Sequence, residues 1–465
     1  MKKFLIAACA VLLAGQTWGE VPGDDKKVSD IDPTQRMMGV IPAPGDDKKV
    51  SDIDRNSRPI GADYKNNVYF FDGFDFDNYQ RNDPNLTTLN LGEIRAIRNG
   101  VSGRVTAHGS KPYSIIGHSQ GGLRALGYTS ILKSEPNGIA ETGLIDAVVT
   151  VSGIDQGLKM LDGGLGGFKA RVNGKVNIVW NGLIACTTAT FNFDPNWYLI
   201  PLVLRNNGSV AADVVLWAFS KDMRNYWAEA LRSTDASKVR QIGDMIPGSG
   251  YIRDNVVKNE EYRYRTKTGT KLTAEWRSKK IWPGITIWYV WIGYVDVYAY
   301  VSVTKSLPQF NPDVPVGFIV GTNNNTLSMG DNEQGVRVGL KAFEIGFAVA
   351  EGVHIAKCAA LIGFLTGSPL YAADADRARR FAGNIDAELN DIKGESRGDG
   401  LVAYSHQQLP QYFTEPDTGR RLKVLPNPYL GYTEVKETHN EILKNSYTWE
   451  EAGKMLVDGR KRRGR

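Results

Sequence analysis

An α/β fold is what this sequence predicts, on three observations. Pro112–Leu126 reads as a buried strand, a tight turn and the start of a helix. Short β-prone apolar runs stand at Asn67–Phe74 and Val316–Gly321, the first ending in a glycine turn. Glycine occurs 50 times in 465 residues, which suits a chain with many strand-to-helix turns. At roughly 150 residues per domain, that length allows up to three domains, or one large enzyme domain carrying long insertions. Hydrophobic residues at 42% and charged residues at 23% lie near the globular average, against wholesale disorder, a coiled coil or a multi-span membrane protein. Lys and Arg number 56 against 51 Asp and Glu, a net +5 to which Arg460, Lys461, Arg462, Arg463 and Arg465 contribute. That surplus is too small to argue for nucleic acid as a partner.

The N-terminal end reads as a targeting segment. Lys2 and Lys3 precede an apolar run, Phe4–Ala14, and small residues flank a cut before Glu20, so residues 1–19 predict export, to the periplasm or outside the cell. The run is too short to span a bilayer at about 20 residues. Residues 20–59 are polar and repeat one phrase, Pro22–Asp32 recurring as Pro44–Asp54. Two copies make no solenoid, and the spacing lacks the glycine and closing Glu of a calcium loop, so a flexible leader is expected. Once Cys9 leaves with the signal, Cys186 and Cys358 remain as candidates for one disulfide, with nothing in their spacing to set a distance. Neither the cysteines nor His108, His118, His354, His406 and His439 show metal-ligand spacing, and no metal or cofactor is expected.

Gly117-His118-Ser119-Gln120-Gly121 is a GxSxG turn between the strand Tyr113–Ile116 and a helix with Leu123 and Leu126 on its apolar side. A serine presented on so sharp a turn has a strained backbone, and bulky neighbours at −2 and +2 would collide with the adjoining strand and helix. The helix start also aims amides and dipole at any negative charge forming on a reacting carbonyl.

With its second glycine at Gly122, this elbow resembles that of the lipase-like α/β-hydrolases. Leu144–Gly157 is similar to the strand following the nucleophile helix in that family, and Asp244–Ile252 to its segment after the lid helices. The resemblance implies a mostly parallel, doubly wound sheet with a large lid or cap insertion, and a triad in the order Ser, Asp or Glu, His. Order excludes His108, and His118 sits inside the elbow. His354 lies in a long apolar helical stretch and reads as a satisfied helix histidine. Thr438-His439-Asn440, after the strand candidate Arg421–Leu425, resembles the family's histidine loop. Gly398-Asp399-Gly400-Leu401-Val402 resembles its acid segment. The resemblance therefore implies Ser119, Asp399 and His439, with Asp331 and His406 as the alternative acid and base. The oxyanion hole would take the amide of Gln120 and that of Phe74, or its neighbour Asp75. The chain departs from the family at Asp72-Gly73, where lipases carry His-Gly, and only about 45 residues separate Gly73 from Ser119.

Six segments are expected: a signal at 1–19, the leader 20–59, a core part 60–158 with the elbow, a lid or cap insertion 159–310, a second core part 311–450 with the acid and histidine loops, and a basic tail 451–465. Within the insertion, Ser209–Arg232 spaces apolar residues on roughly one helical face. Ile281–Val303 carries one charge, Asp296, and reads as two strands buried on both faces, bent near Gly293. Ala342–Gly367 reads as a buried or lid-like helix. The expected function is hydrolysis of carboxylic esters, with a lipid or other ester as substrate and transient membrane contact through the insertion. A non-catalytic binding protein on the same fold, or an amidase or deacylase using the same triad, are the alternatives.

Overall fold

The computed structural model of the chain describes residues 68–71, 112–134, 142–190, 240–329, 333–359, 368–425 and 428–465. The signal segment, the leader, Phe74, Asp75, His108, the Ser209–Arg232 stretch and Asp331 lie outside them.

Among the described residues five strands form one parallel sheet: β1 (Val68–Phe71), β2 (Tyr113–His118), β3 (Ile145–Val151), β6 (Val316–Gly321) and β9 (Tyr429–Val435), side by side in that order. Their side chains alternate between two cores. Ile115, Val148, Val316, Phe318 and Val320 face one side, with Leu123 and Leu126 of α1 (Gln120–Ser134). Ile116, Ala147, Val149, Val151 and Ile319 face the other, with Trp449, Ala452, Met455 and Leu456 of the C-terminal helix. Burial on both faces is why β2, β3 and β6 read as continuous apolar runs. The protein is thus an α/β mixture around a parallel sheet.

The rest of the chain departs from the sequence reading in four places. The basic stretch at the end is no tail: it belongs to a helix, Ser446–Arg462, capped by Asn445, whose Trp449 is fully buried against the sheet. Arg465 reaches Asp146 of β3 at 2.9 Å. Arg421–Lys423 is β8, which pairs antiparallel with β7 (Tyr412–Thr414) outside the main sheet, so the last parallel strand is β9. Helix α2 (Gly164–Thr190), placed by sequence in the insertion, packs against the helices Glu333–Ala359 and Ser368–Gly383 through Ala185, Cys186, Phe347 and Ala378. The boundary near residue 310 therefore cuts through one packed cluster.

The fourth departure is the largest. Two short helices, α3 (Arg240–Asp244) and α4 (Gly250–Asn255), lead into a hairpin of β4 (Val257–Trp282) and β5 (Ile285–Pro308). The chain reverses at Pro283-Gly284, and Gly293 sits inside β5 opposite Thr273. The aromatic stretch is one strand paired with a charged one, and it is solvent-exposed where burial on both faces was expected. Only cross-strand pairing makes β4 a strand, because its local composition is polar.

Helices α5 (Glu333–Ala359), α6 (Ser368–Gly383) and α7 (Ile385–Lys393) separate β6 from the segment carrying Asp399, and α8 (Ser446–Arg462) closes the fold. Among the described residues no helix is long and apolar enough to cross a membrane.

Candidate active site

The elbow forms where β2 stops and α1 starts. Ser119 takes φ 55°, a left-handed conformation that costs a side-chain-bearing residue roughly 1–2 kcal/mol. Three hydrogen bonds hold it there. Its N–H donates to the Val151 carbonyl at the end of β3 (3.1 Å), and its own carbonyl accepts from Gly122 N–H (3.1 Å) and Ile154 N–H (3.2 Å). Gly117 is required because a Cβ there would stand 2.4 Å from the Gly121 carbonyl oxygen. Gln120 opens α1, so its amide belongs to the N-terminal N–H groups that have no intrahelical acceptor. Its side chain is turned to Arg124, whose Nη2 donates to Oε1 at 3.1 Å.

Asp399 and His439 meet across 40 residues of sequence. His439 Nδ1 lies 2.7 Å from Asp399 Oδ2, and the His439 amide donates to the Asp399 carbonyl at 2.8 Å. The other carboxylate oxygen, Oδ1, accepts from Leu401 N–H (3.0 Å) and Val402 N–H (2.7 Å). Burial pushes the Asp399 carboxyl up. The imidazole of His439 and these two amides outweigh burial and hold it below the usual carboxylate value, leaving an ionised acid in a buried site. Asp399 packs over the C-terminal end of β6, where a Cβ at Gly321 would come within 2.6 Å of the Asp399 Cβ.

His118 joins the two halves. Its Nε2–H donates to the His439 carbonyl at 3.0 Å, and the two imidazoles lie 4.9 Å apart between centroids. The histidine loop is therefore docked on the residue preceding Ser119. Ser119, Asp399 and His439 are buried, at 7%, 0% and 3% exposure. Between Ser119 Oγ and His439 no hydrogen bond forms in this conformation, as is common before substrate arrives. Phe74, the second expected oxyanion donor, is outside the described residues.

The alternative base is otherwise engaged. His406 Nδ1–H donates to the Gly157 carbonyl at 2.7 Å, and burial lowers the pKa of its ring. His354 sits in the helical cluster with Nε2 on the Ala185 carbonyl at 2.9 Å, as its apolar setting predicts. No disulfide joins Cys186 and Cys358, and the Cys186 thiol points to the Gly346 carbonyl at 3.7 Å. Among the described residues no group of His, Cys, Asp and Glu is arranged to hold a metal ion. The open concavity along α5, lined by Glu333, Gln334, Arg337, Val338 and Lys341, contains none of Ser119, Asp399 and His439.

Sequence reasoning missed three supporting groups. Gln407 is fully buried and clamps the acid loop to the sheet, accepting from Gly321 N–H (2.7 Å) and donating to the carbonyls of Gly321 (3.1 Å) and Val402 (3.0 Å). Asp155, also fully buried, lies under the elbow, where a Cβ at Gly122 would meet its Oδ1 at 2.9 Å. Burial pushes its carboxyl up to about 8, against one hydrogen bond from Thr150 Oγ1 at 2.8 Å. Lys393, at the end of α7, is pushed down to about 8 by burial despite the nearby charges of Asp399 and Glu395. Glutamine, aspartate and lysine are common surface residues, so no local signal marked them.

No family model matches the chain, and no curated protein or solved structure is significantly similar to it.

Proposed function

We propose that the protein is an exported serine hydrolase of the α/β-hydrolase type that cleaves carboxylic esters of lipid-like substrates. The observation that carries this reading is the grip of Asp399 on His439 at the same sheet end as a serine held in a left-handed elbow. In the proposed reaction, Ser119 Oγ attacks the ester carbonyl while His439 Nε2 takes its proton. Asp399 keeps Nδ1 protonated and steadies the imidazolium that forms. The amide of Gln120, with that of Phe74, takes the oxyanion charge. Collapse expels the alkoxide, which leaves as alcohol with the proton from His439. Water then hydrolyses the acyl-enzyme by the same relay. The signal-like segment at residues 1–19 supports export.

A second reading, a non-catalytic binding protein on this fold, draws on the absence of a Ser119–His439 hydrogen bond. Fluorophosphonate labelling separates the two. A labelled band from the wild type that disappears in Ser119→Ala supports the hydrolase. No labelling of folded wild type, with and without detergent, supports the binding protein.

A further inference from the structure

The β4–β5 hairpin has no role in the triad, and its distal half is amphipathic. The register places Leu272 opposite Tyr294, Trp276 opposite Val290 and Ser278 opposite Trp288, so these side chains share one face with Ile292. That face is open to solvent: Trp276 is 72% exposed, Ile292 66% and Trp288 65%. The tip adds Trp282 at 73%. The opposite face is mixed, with Lys279 beside Ile287 and Arg277 stacked over the Trp291 ring at 3.9 Å. From residue 271 to 294 four basic side chains, Lys271, Arg277, Lys279 and Lys280, stand against one carboxylate, Glu275. Among the described residues Lys271, Lys279 and Lys280 form no ion pair.

The base of the ribbon is fixed to the body. Tyr262 packs edge-on against Phe413 at 5.3 Å and donates to Asp417 at 2.9 Å, and Ser306 meets Gln156 at 3.3 Å. The exposed half is thus an arm on a fixed base. An apolar face exposed along this length marks a contact surface.

We propose that this distal face seats on an anionic lipid bilayer. Tryptophan and tyrosine along its length are the residues favoured at the membrane–water boundary. Lys280 stands on that face and Lys271 and Lys279 on the other, so a ribbon lying along the bilayer brings all three long cations within reach of anionic headgroups. Among the described residues neither ribbon edge pairs with a further strand, so the hairpin lies in the boundary layer and does not cross the hydrocarbon. The proposal rests on the hydrolase reading only for its purpose, which is to bring Ser119 to a lipid surface.

The test uses the full chain and sedimentation with vesicles of phosphatidylcholine containing phosphatidylglycerol, or of phosphatidylcholine alone. The expected result is co-sedimentation with the anionic vesicles, a blue-shifted tryptophan emission, and release by high salt. Trp276→Ser with Trp288→Ser should weaken binding at least about 10-fold, and Lys279→Glu with Lys280→Glu by a similar factor. Both variants should keep the wild-type melting temperature and, if the hydrolase reading holds, the wild-type rate on a soluble short-chain ester. Ser119→Ala should bind vesicles like the wild type, so failure of the hydrolase reading leaves this result standing. Wild type that stays in the supernatant, equal binding to both vesicle types, or variants that bind normally would overturn the proposal. So would a lipid-free dimer that becomes monomeric in the tryptophan variant, which would assign the face to a second copy.

Discussion

Asp399 holds His439 at two points, by carboxylate to Nδ1 at 2.7 Å and by carbonyl to amide at 2.8 Å, so the imidazole is fixed in both position and tautomer. Replacing Asp399 with Asn keeps the shape and the amide bonds but presents a donor where an acceptor is needed. Turnover is expected to fall roughly 10⁴-fold with an unchanged melting temperature. His406→Ala, by contrast, should keep turnover within a few-fold of wild type. Steady-state kinetics on a soluble ester decide both. Near-normal rates for Asp399→Asn would remove this carboxylate from the triad.

The left-handed backbone at Ser119 stores strain. Ser119→Gly should abolish labelling while raising stability by about 1 kcal/mol, measured by urea unfolding. Gly117→Ala should do the reverse to the fold, costing about 3 kcal/mol or more because the new Cβ would meet backbone at 2.4 Å. A stable Gly117→Ala protein would mean that the elbow has a different shape.

Asp155 makes stability depend on pH. Its carboxyl is pushed up to about 8 in the fold, against an ordinary aspartate value of 3.8 in the unfolded chain, so between these values the folded state holds the extra proton. Stability from this group is therefore complete below about pH 4 and declines as pH rises towards 8, by up to about 1.4 kcal/mol per pH unit. Asp155→Asn should flatten that decline. Unfolding curves of both proteins across this range test it, and parallel slopes would refute the assignment.

Gln407 positions the acid loop without touching the reaction. Gln407→Leu leaves the buried Gly321 amide without its side-chain acceptor and should cost about 1–3 kcal/mol. Because Asp399 then loosens, kcat should drop more than KM changes. A stability loss with normal kcat would make Gln407 purely structural.

Much of the sheet was legible because burial on two faces leaves a local trace. Tyr113–Ile116 and Val316–Gly321 read as strands from their apolar runs, and β2 and β6 cover them. The candidate set Ser119, Asp399 and His439 was legible through the resemblance of its three segments to the lipase-like family, with chain order as a filter. The hairpin was not, since β4 is charged along its length and becomes a strand only by pairing with β5. Trp449, Ala452 and Leu456 sit on one helical face, but the run of basic residues after them masked that spacing.

The sequence by itself determined that a serine stands on a strand-to-helix turn between glycines, because both the strain and the steric need for small neighbours are local. It also determined which apolar runs must be covered on both sides. Only the tertiary structure decided that His439, rather than His406, faces Asp399. That choice follows from β9 lying beside β6, which brings two loops 40 residues apart to one sheet end. Likewise, only strand pairing decided which aromatic side chains of the hairpin share a face, since register is set between strands and not within one.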